Sequence, residues 1–213
     1  VRASDEIRTY ITQADASLIA MGYTEHSFAH VTKCAETAAG LLSQQGYDDR
    51  QVELAKIAGY MHDIGNVVNR VDHAQSGAVM AFRILDKMGM DPEDVAVVIT
   101  AIGNHDEHTA FPVNAVAAAL ILADKTDVRR SRVRNRDTIS FDIHDRVNYA
   151  VERSDLLLDK EKKHLTLSLT IDTEISAVMD YFEIFMTRML LCRKAAEFFG
   201  LRFRLHINGS EVL

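Results

Sequence analysis

The chain has 213 residues, 47% hydrophobic and 26% charged, enough for one globular domain with a sizeable core and a small appendage. A net charge of −7 argues against a polyanionic partner, so nucleic acid is not expected to bind. Cys34 and Cys192 form no CxxC or Cys/His cluster, which sets aside zinc-finger and redox readings, and no apolar run approaches the ~20 residues of a membrane helix.

Ser4 can cap a first helix carrying Ile7, Ile11, Leu18 and Ile19 on one face and ending at Gly22. Residues 1–6 show no signal-peptide pattern, so the expected compartment is the cytoplasm. A second helix spans 27–45, with Val31, Ala35, Ala38, Ala39 and Leu42 inward and Gly46 as its stop. Asp48 or Asp49 opens a third, whose apolar run 54–61 ends at His62-Asp63. After a loop at 66–72, a fourth starts at His73 with Asp72 as N-cap, carries Ala78, Phe82 and Leu85, and stops at Gly89. Asp91-Pro92-Glu93-Asp94 is a helix start, and the run behind it reaches Gly103-Asn104-His105. Pro112 opens the last helix of this set, apolar through 116–123 and then Asp124.

Arginines stand at 129, 130, 132, 134 and 136. Beyond them Val147, Tyr149 and Val151 alternate with polar residues, as do Leu165, Leu167, Leu169 and Ile171, with a turn at 159–163 between the runs. This predicts a β-hairpin. A long helix over 174–199 and a strand over 201–207 follow. The expected fold is mainly α: a helical body over 1–135 and an α+β appendage of hairpin, long helix and strand over 136–213.

Taken singly, His30, His73 and His105 read as hydrogen-bonded core or surface histidines, and Asp124 as a carboxylate paired with Lys125 or Arg129. Jointly they read differently. Five apolar helices each place a His, an Asp or the His62-Asp63 pair where the apolar run ends or is interrupted, which is how helical bundles assemble metal sites from facing side chains. His26, four residues before His30, reads as an exposed cap residue first and as a support for the ligands or a substrate-facing group second; His108 on the polar loop reads as pocket mouth; His144, His164 and His206 read as structural. Imidazoles and carboxylates without thiolate suit iron, manganese, zinc, nickel or cobalt. Four histidines and two aspartates exceed one catalytic ion that keeps open positions, and fit two ions sharing a carboxylate, for which Asp63 is the natural bridge. Water held by such a pair loses a proton near neutral pH, which points to hydrolysis of a phosphate ester or anhydride.

His30, then His62-Asp63, then Asp124 resembles the H…HD…D signature of the HD-domain metal-dependent phosphohydrolase superfamily. The contexts agree: His30-Val31-Thr32-Lys33-Cys34-Ala35, Gly59-Tyr60-Met61-His62-Asp63-Ile64-Gly65 and Ile121-Leu122-Ala123-Asp124-Lys125. His73 before Ser76-Gly77-Ala78, and His105, resemble the di-metal branches, which include symmetrical diadenosine tetraphosphate hydrolases and HD-GYP phosphodiesterases. The resemblance covers roughly residues 20–130. It implies a helical HD fold with His30, His62, Asp63 and Asp124 on one ion, Asp63 bridging, and His73 and His105 on the second. Iron or manganese is the expected metal, with zinc, nickel or cobalt as others. Two departures stand out. Asn66 occupies the place where many relatives carry a phosphate-contacting lysine, and no GYP motif follows His105, which argues against a cyclic dinucleotide phosphodiesterase.

Candidate substrate contacts are Asn66, His108, Lys125, Arg129 and Arg130, the arginines because a guanidinium forks onto phosphate. Alternation would set Arg130, Arg132, Arg134 and Arg136 on one side of an extended segment; the competing reading is a solvated basic loop. The expected substrate is a small phosphorylated molecule, a nucleotide foremost, and the hairpin-plus-helix unit offers a face for a homodimer. Two other functions fit the same residues: a metal-binding regulatory module with weak or no catalysis, and an oxygen-using di-iron enzyme.

Overall fold

A computed structural model describes residues 1–134, 143–161 and 163–213. They cluster into two compact units, Val1–Asp124 and Lys125–Leu213. The division falls after Asp124, ahead of the expected 135/136 boundary. The cause is local: Ser154 Oγ donates to the Thr126 carbonyl at 2.8 Å, and Arg130 Nε donates to the Tyr149 carbonyl at 2.7 Å, which ties the intervening chain into the second unit.

The first unit is helical: α1 (Asp5–Ala20), α2 (Phe28–Gln45), α3 (Asp49–Met61), a short 3-10 turn (Ile64–Val67), α4 (His73–Lys87), α5 (Pro92–Gly103) and α6 (Ala115–Lys125), whose last residue is the first of the second unit. Its starts follow capping chemistry. The side chains of Ser4, Ser27, Asp48 and Asp91 accept backbone N–H bonds from Ile7, Ala29, Gln51 and Glu93. Three expectations shift. Asp72 occupies the N-cap position of α4 but is left-handed (φ 56°) and makes no side-chain cap bond. The helix expected from Pro112 begins at Ala115, because Asn114 Oδ1 accepts from the Ala117 N–H at 2.8 Å. Ile19 and Phe82 are exposed; α1 buries Ile7, Ile11, Ala14 and Leu18, and α4 buries His73, Ala74, Gly77, Ala81, Ile84 and Leu85.

Close helix approach sets the interior. A Cβ on Gly59 would lie 2.6 Å from the Ala35 Cα, so α2 and α3 touch backbone to backbone at that point. A Cβ on Gly65 would strike the His73 carbonyl, so the turn after Asp63 lies flat on the start of α4. Both contacts require glycine, and together they draw residues 30, 62, 63 and 73 into one place.

In the second unit, a 3-10 turn (Arg130–Arg132) precedes α7 (Ile143–Ala150), β1 (Val151–Asp159), β2 (His164–Ile171), α8 (Val178–Phe198), β3 (Arg202–Ile207) and β4 (Ser210–Glu211). The sheet order is β1-β2-β3-β4. β1 and β2 are antiparallel, β2 and β3 are parallel across the α8 connection, and β3 and β4 are antiparallel. Leu165, Leu167, Leu169 and Ile171 with Phe203, Leu205 and Ile207 form the buried strand face, and α8 packs on β3. The fold is therefore an HD-type helical body with an α+β appendage. One predicted strand is corrected: Val147 and Tyr149 lie in α7. Val147 and Val151 are four residues apart, so their spacing satisfies a helical period as well as an alternating one.

Candidate metal centre

Each candidate ligand sits where backbone geometry leaves its donor pointing inward. His62 is the C-cap of α3, and its Nδ1 meets the Gly59 carbonyl at 2.8 Å. His105 Nδ1 meets the Ile102 carbonyl at 2.6 Å, and His73 Nδ1 meets the Arg70 carbonyl at 3.0 Å. A carbonyl only accepts, so in all three rings Nδ1 holds the proton and Nε2 offers a lone pair, the tautomer a metal requires. His30 comes from the first turn of α2 and Asp124 from the last turn of α6.

The donors converge. His62 Nε2 is 3.2 Å and His30 Nε2 3.6 Å from Asp63 Oδ2. His73 Nε2 and His105 Nε2 are 3.6 and 3.9 Å from the other oxygen, Oδ1. Asp124 Oδ1 lies 3.3 Å from His30 Nε2 and 3.8 Å from His62 Nε2. All six residues predicted as ligands are thus brought together. His30, His62, Asp63, His73 and His105 are buried.

These separations suit a shared cation. With ligand bonds of about 2.1 Å, two donors on one tetrahedral ion stand about 3.4 Å apart. His62 Nε2 and Asp63 Oδ2 are also buried without a hydrogen-bond partner of acceptable geometry, a cost that a bound ion relieves. Electrostatics agree. Burial works against a charge on His62, but the Asp63 carboxylate outweighs it and raises the imidazole's pKa above its ordinary value. Burial likewise opposes ionisation of Asp63, yet His62, with His26 and His30 behind it, holds the carboxyl well below the usual range.

Two neighbours, Cys34 and Arg70, were not singled out as ligands or ligand supports in the sequence, and a third, His26, was read first as a cap. Cys34 Sγ lies 3.7 Å from His30 Nε2 and joins His30, His62 and Asp124 as a group within ligand reach, so the donor set is not free of sulfur. Its place one turn after His30 on the same helix was the available signal. Arg70 Nη1 is 3.3 Å from His73 Nε2 and 3.3 Å from Asn66 Oδ1; nothing in local spacing marks it. His26 is not the exposed cap. Ser27 caps α2, and the partly buried His26 ring stands edge-on to His30 at 5.4 Å.

Among the candidate substrate contacts, Asn66 is buried and its amide is committed: Nδ2 donates to Asp63 Oδ1 at 2.9 Å, and Oδ1 accepts from Arg70. His108 is exposed on the loop that Thr109 ties to Gln75 of α4, and Lys125 is buried at the end of α6. Arg129 Nε donates to Asp127 Oδ1 at 2.9 Å, while Arg130 lies near Glu152 and Asp172. The arginine segment forms a 3-10 turn with Arg132 buried, so Arg130 and Arg132 do not share one side of an extended strand; Arg136 lies outside the described residues.

Residues 23–135 match the family described as HD domain. The chain belongs to that family. Ribonuclease Y of Opitutus terrae is 30% identical to it over 112 residues, 53% of this chain and 20% of that protein. The chain therefore spans about a fifth of the length of this curated relative. A solved structure of a predicted HD superfamily hydrolase from an uncultured Thermotogales bacterium is 31% identical, with a TM-score of 0.47 over 58% of this chain and 67% of that one. The HD domain of this protein carries a His/Asp cluster fit for a divalent metal. No helix among the described residues is long and apolar enough to cross a membrane.

Proposed function

We propose that this HD protein is a metal-dependent phosphohydrolase that holds two divalent ions on either side of Asp63 and cleaves a phosphate ester or anhydride in a nucleotide-sized substrate. One observation carries the reading: the two oxygens of Asp63 face different imidazole pairs, Oδ2 toward His62 and His30, Oδ1 toward His73 and His105. A carboxylate placed this way could be shared by two cations, one of which would be held by His30, His62 and Asp124 and the other by His73 and His105.

Bound divalent cations supply Lewis acidity, which acidifies water and polarises phosphoryl oxygens. The chain does the rest. Backbone carbonyls of residues 59, 70 and 102 lock three imidazoles in the metal-binding tautomer. Asn66 clamps Asp63 through both its carboxylate and its own carbonyl, fixing the bridge. The relative's printed function, a ribonuclease, supports a phosphodiester among the substrates, alongside nucleotides.

The test loads the purified chain separately with manganese, iron and zinc. Metal is counted, and phosphate or nucleotide release is followed across mononucleotides, dinucleoside polyphosphates, a short RNA and simple phosphodiesters. Close to two ions per chain and metal-dependent release are expected. Full metal loading with no turnover of any of these would leave a metal-binding regulatory module instead, and oxygen-dependent substrate loss would select the di-iron reading.

A further inference from the structure

We propose that Arg70 is the phosphoryl-binding cation of this centre, taking the part that a lysine at position 66 would otherwise play. The inference rests on the phosphohydrolase reading and deepens it.

The residue at position 66 cannot grip a phosphate here. Asn66 is neutral and buried, and both ends of its amide are engaged, one on Asp63 and one on Arg70. Its carbonyl instead holds a cation in place. Arg70 Nη1 stands 3.3 Å from Asn66 Oδ1 and 3.3 Å from His73 Nε2, and the guanidinium carbon lies 5.5 Å from the centre of the Tyr23 ring. An amide, an imidazole and an aromatic face thus keep the guanidinium at the rim of the centre. Arg70 is only partly buried, unlike His73 and His105, so it faces both solvent and the second imidazole pair.

The contact with His73 gives this placement its meaning. A guanidinium only donates, so His73 Nε2 is the acceptor. That nitrogen also offers its lone pair toward the space it shares with Asp63 Oδ1, 3.6 Å away, and His105 Nε2, 3.2 Å away. Arg70 and a divalent cation therefore compete for one lone pair. When the nitrogen is taken, Arg70 loses an acceptor and is left beside a second positive charge. A guanidinium with unspent N–H donors beside a Lewis-acidic cation is reconciled with it by an oxyanion between them, and the forked guanidinium matches two oxygens of a phosphoryl group.

The probe is inorganic phosphate, titrated by calorimetry into the manganese-loaded chain, with metal content measured on the same samples. Arg70→Ala is expected to keep its metal and to bind phosphate at least about tenfold more weakly. Arg70→Lys keeps the charge, loses the fork, and is expected to retain metal with a severalfold loss; it decides the matter if the alanine variant sheds metal. Unchanged phosphate affinity in either metal-loaded variant overturns the proposal. So does loss of metal from both, because Arg70 would then be a support for His73. A wild-type chain that binds phosphate through Arg70 but hydrolyses nothing sinks the phosphohydrolase reading and leaves this inference standing. A loaded wild-type chain that does not bind phosphate sinks both.

Discussion

Two buried aspartates, one in each unit, meet the same problem and solve it differently. Asp127 is 2% exposed and has permanent cations: Arg129 Nε at 2.9 Å, and Arg132, whose Nη1 lies 3.8 Å from its carboxylate and donates to its backbone carbonyl at 2.8 Å. Asp63 is 5% exposed and faces the imidazole nitrogens of His30, His62, His73 and His105. The first arrangement is complete by itself and holds a fold together. The second leaves Asp63 Oδ2 and His62 Nε2, among the described residues, with no hydrogen bond of acceptable geometry, and suits an exchangeable cation as the further partner.

The sharpest way to break this contrast is to remove each carboxylate. Asp63→Ala should abolish metal binding and reduce hydrolysis to background while the metal-free chain still unfolds cooperatively. Asp127→Ala should do the reverse. It takes the buried carboxylate away from Arg129 and Arg132, at a cost of about 3 kcal/mol in denaturant unfolding, and the folded fraction still loads metal. If Asp127→Ala is silent in stability, or Asp63→Ala keeps its metal, the distinction between the two sites is wrong.

A milder change tests how the second imidazole pair is placed. Gly65→Ala pushes a methyl group into the His73 carbonyl, so α4 must retreat from the turn after Asp63. We expect about 1–3 kcal/mol of destabilisation and a fall from two ions toward one, read by metal analysis. A variant that keeps both ions would show that the backbone contact does not position His73.

Acid should separate the sites as well. In the metal-free chain His62 has a raised pKa, so its pairing with Asp63 stabilises the fold below the ordinary histidine value of 6.5 and fades as pH rises through the raised one. Asp63 has a depressed pKa, so its share is present above the ordinary carboxylate value of 3.8 and is lost as pH falls through the depressed one. Metal needs the neutral imidazole. Half-saturating manganese should therefore rise about tenfold per pH unit once His62 protonates, with one proton released per binding event. A pH-independent affinity across the range 5 to 8, on the order of three units, would contradict this coupling.

The smallest effect concerns sulfur. Cys34→Ser should weaken zinc severalfold and leave manganese unchanged in chelator competition, because only the softer ion gains from a thiol near His30. Equal loss for both metals would mean that Cys34 serves packing alone.

How much of this was legible differs by residue. The clustering of His30, His62, Asp63, His73, His105 and Asp124 was, because histidines and aspartates that end or interrupt apolar helices have few inexpensive explanations. Most helix starts were too, through Ser4, Ser27, Asp48 and Asp91. The strand misread at 147–149 arose because a three-residue alternation fits two periods. The arginine segment was misread because the partners that bend it, Asp127, the Tyr149 carbonyl and Asp172, include groups far along the chain.

By itself, then, the sequence determined which side chains form the centre and that helices carry them, since ligand chemistry and apolar periodicity are local properties. Only the tertiary structure decided that Asp63 divides its two oxygens between two imidazole pairs, that Asn66 is a clamp, that Arg70 stands at the rim and that Cys34 lies buried beside His30. Those facts depend on backbones meeting at Gly59 and Gly65, and contacts between distant segments leave no period in the chain.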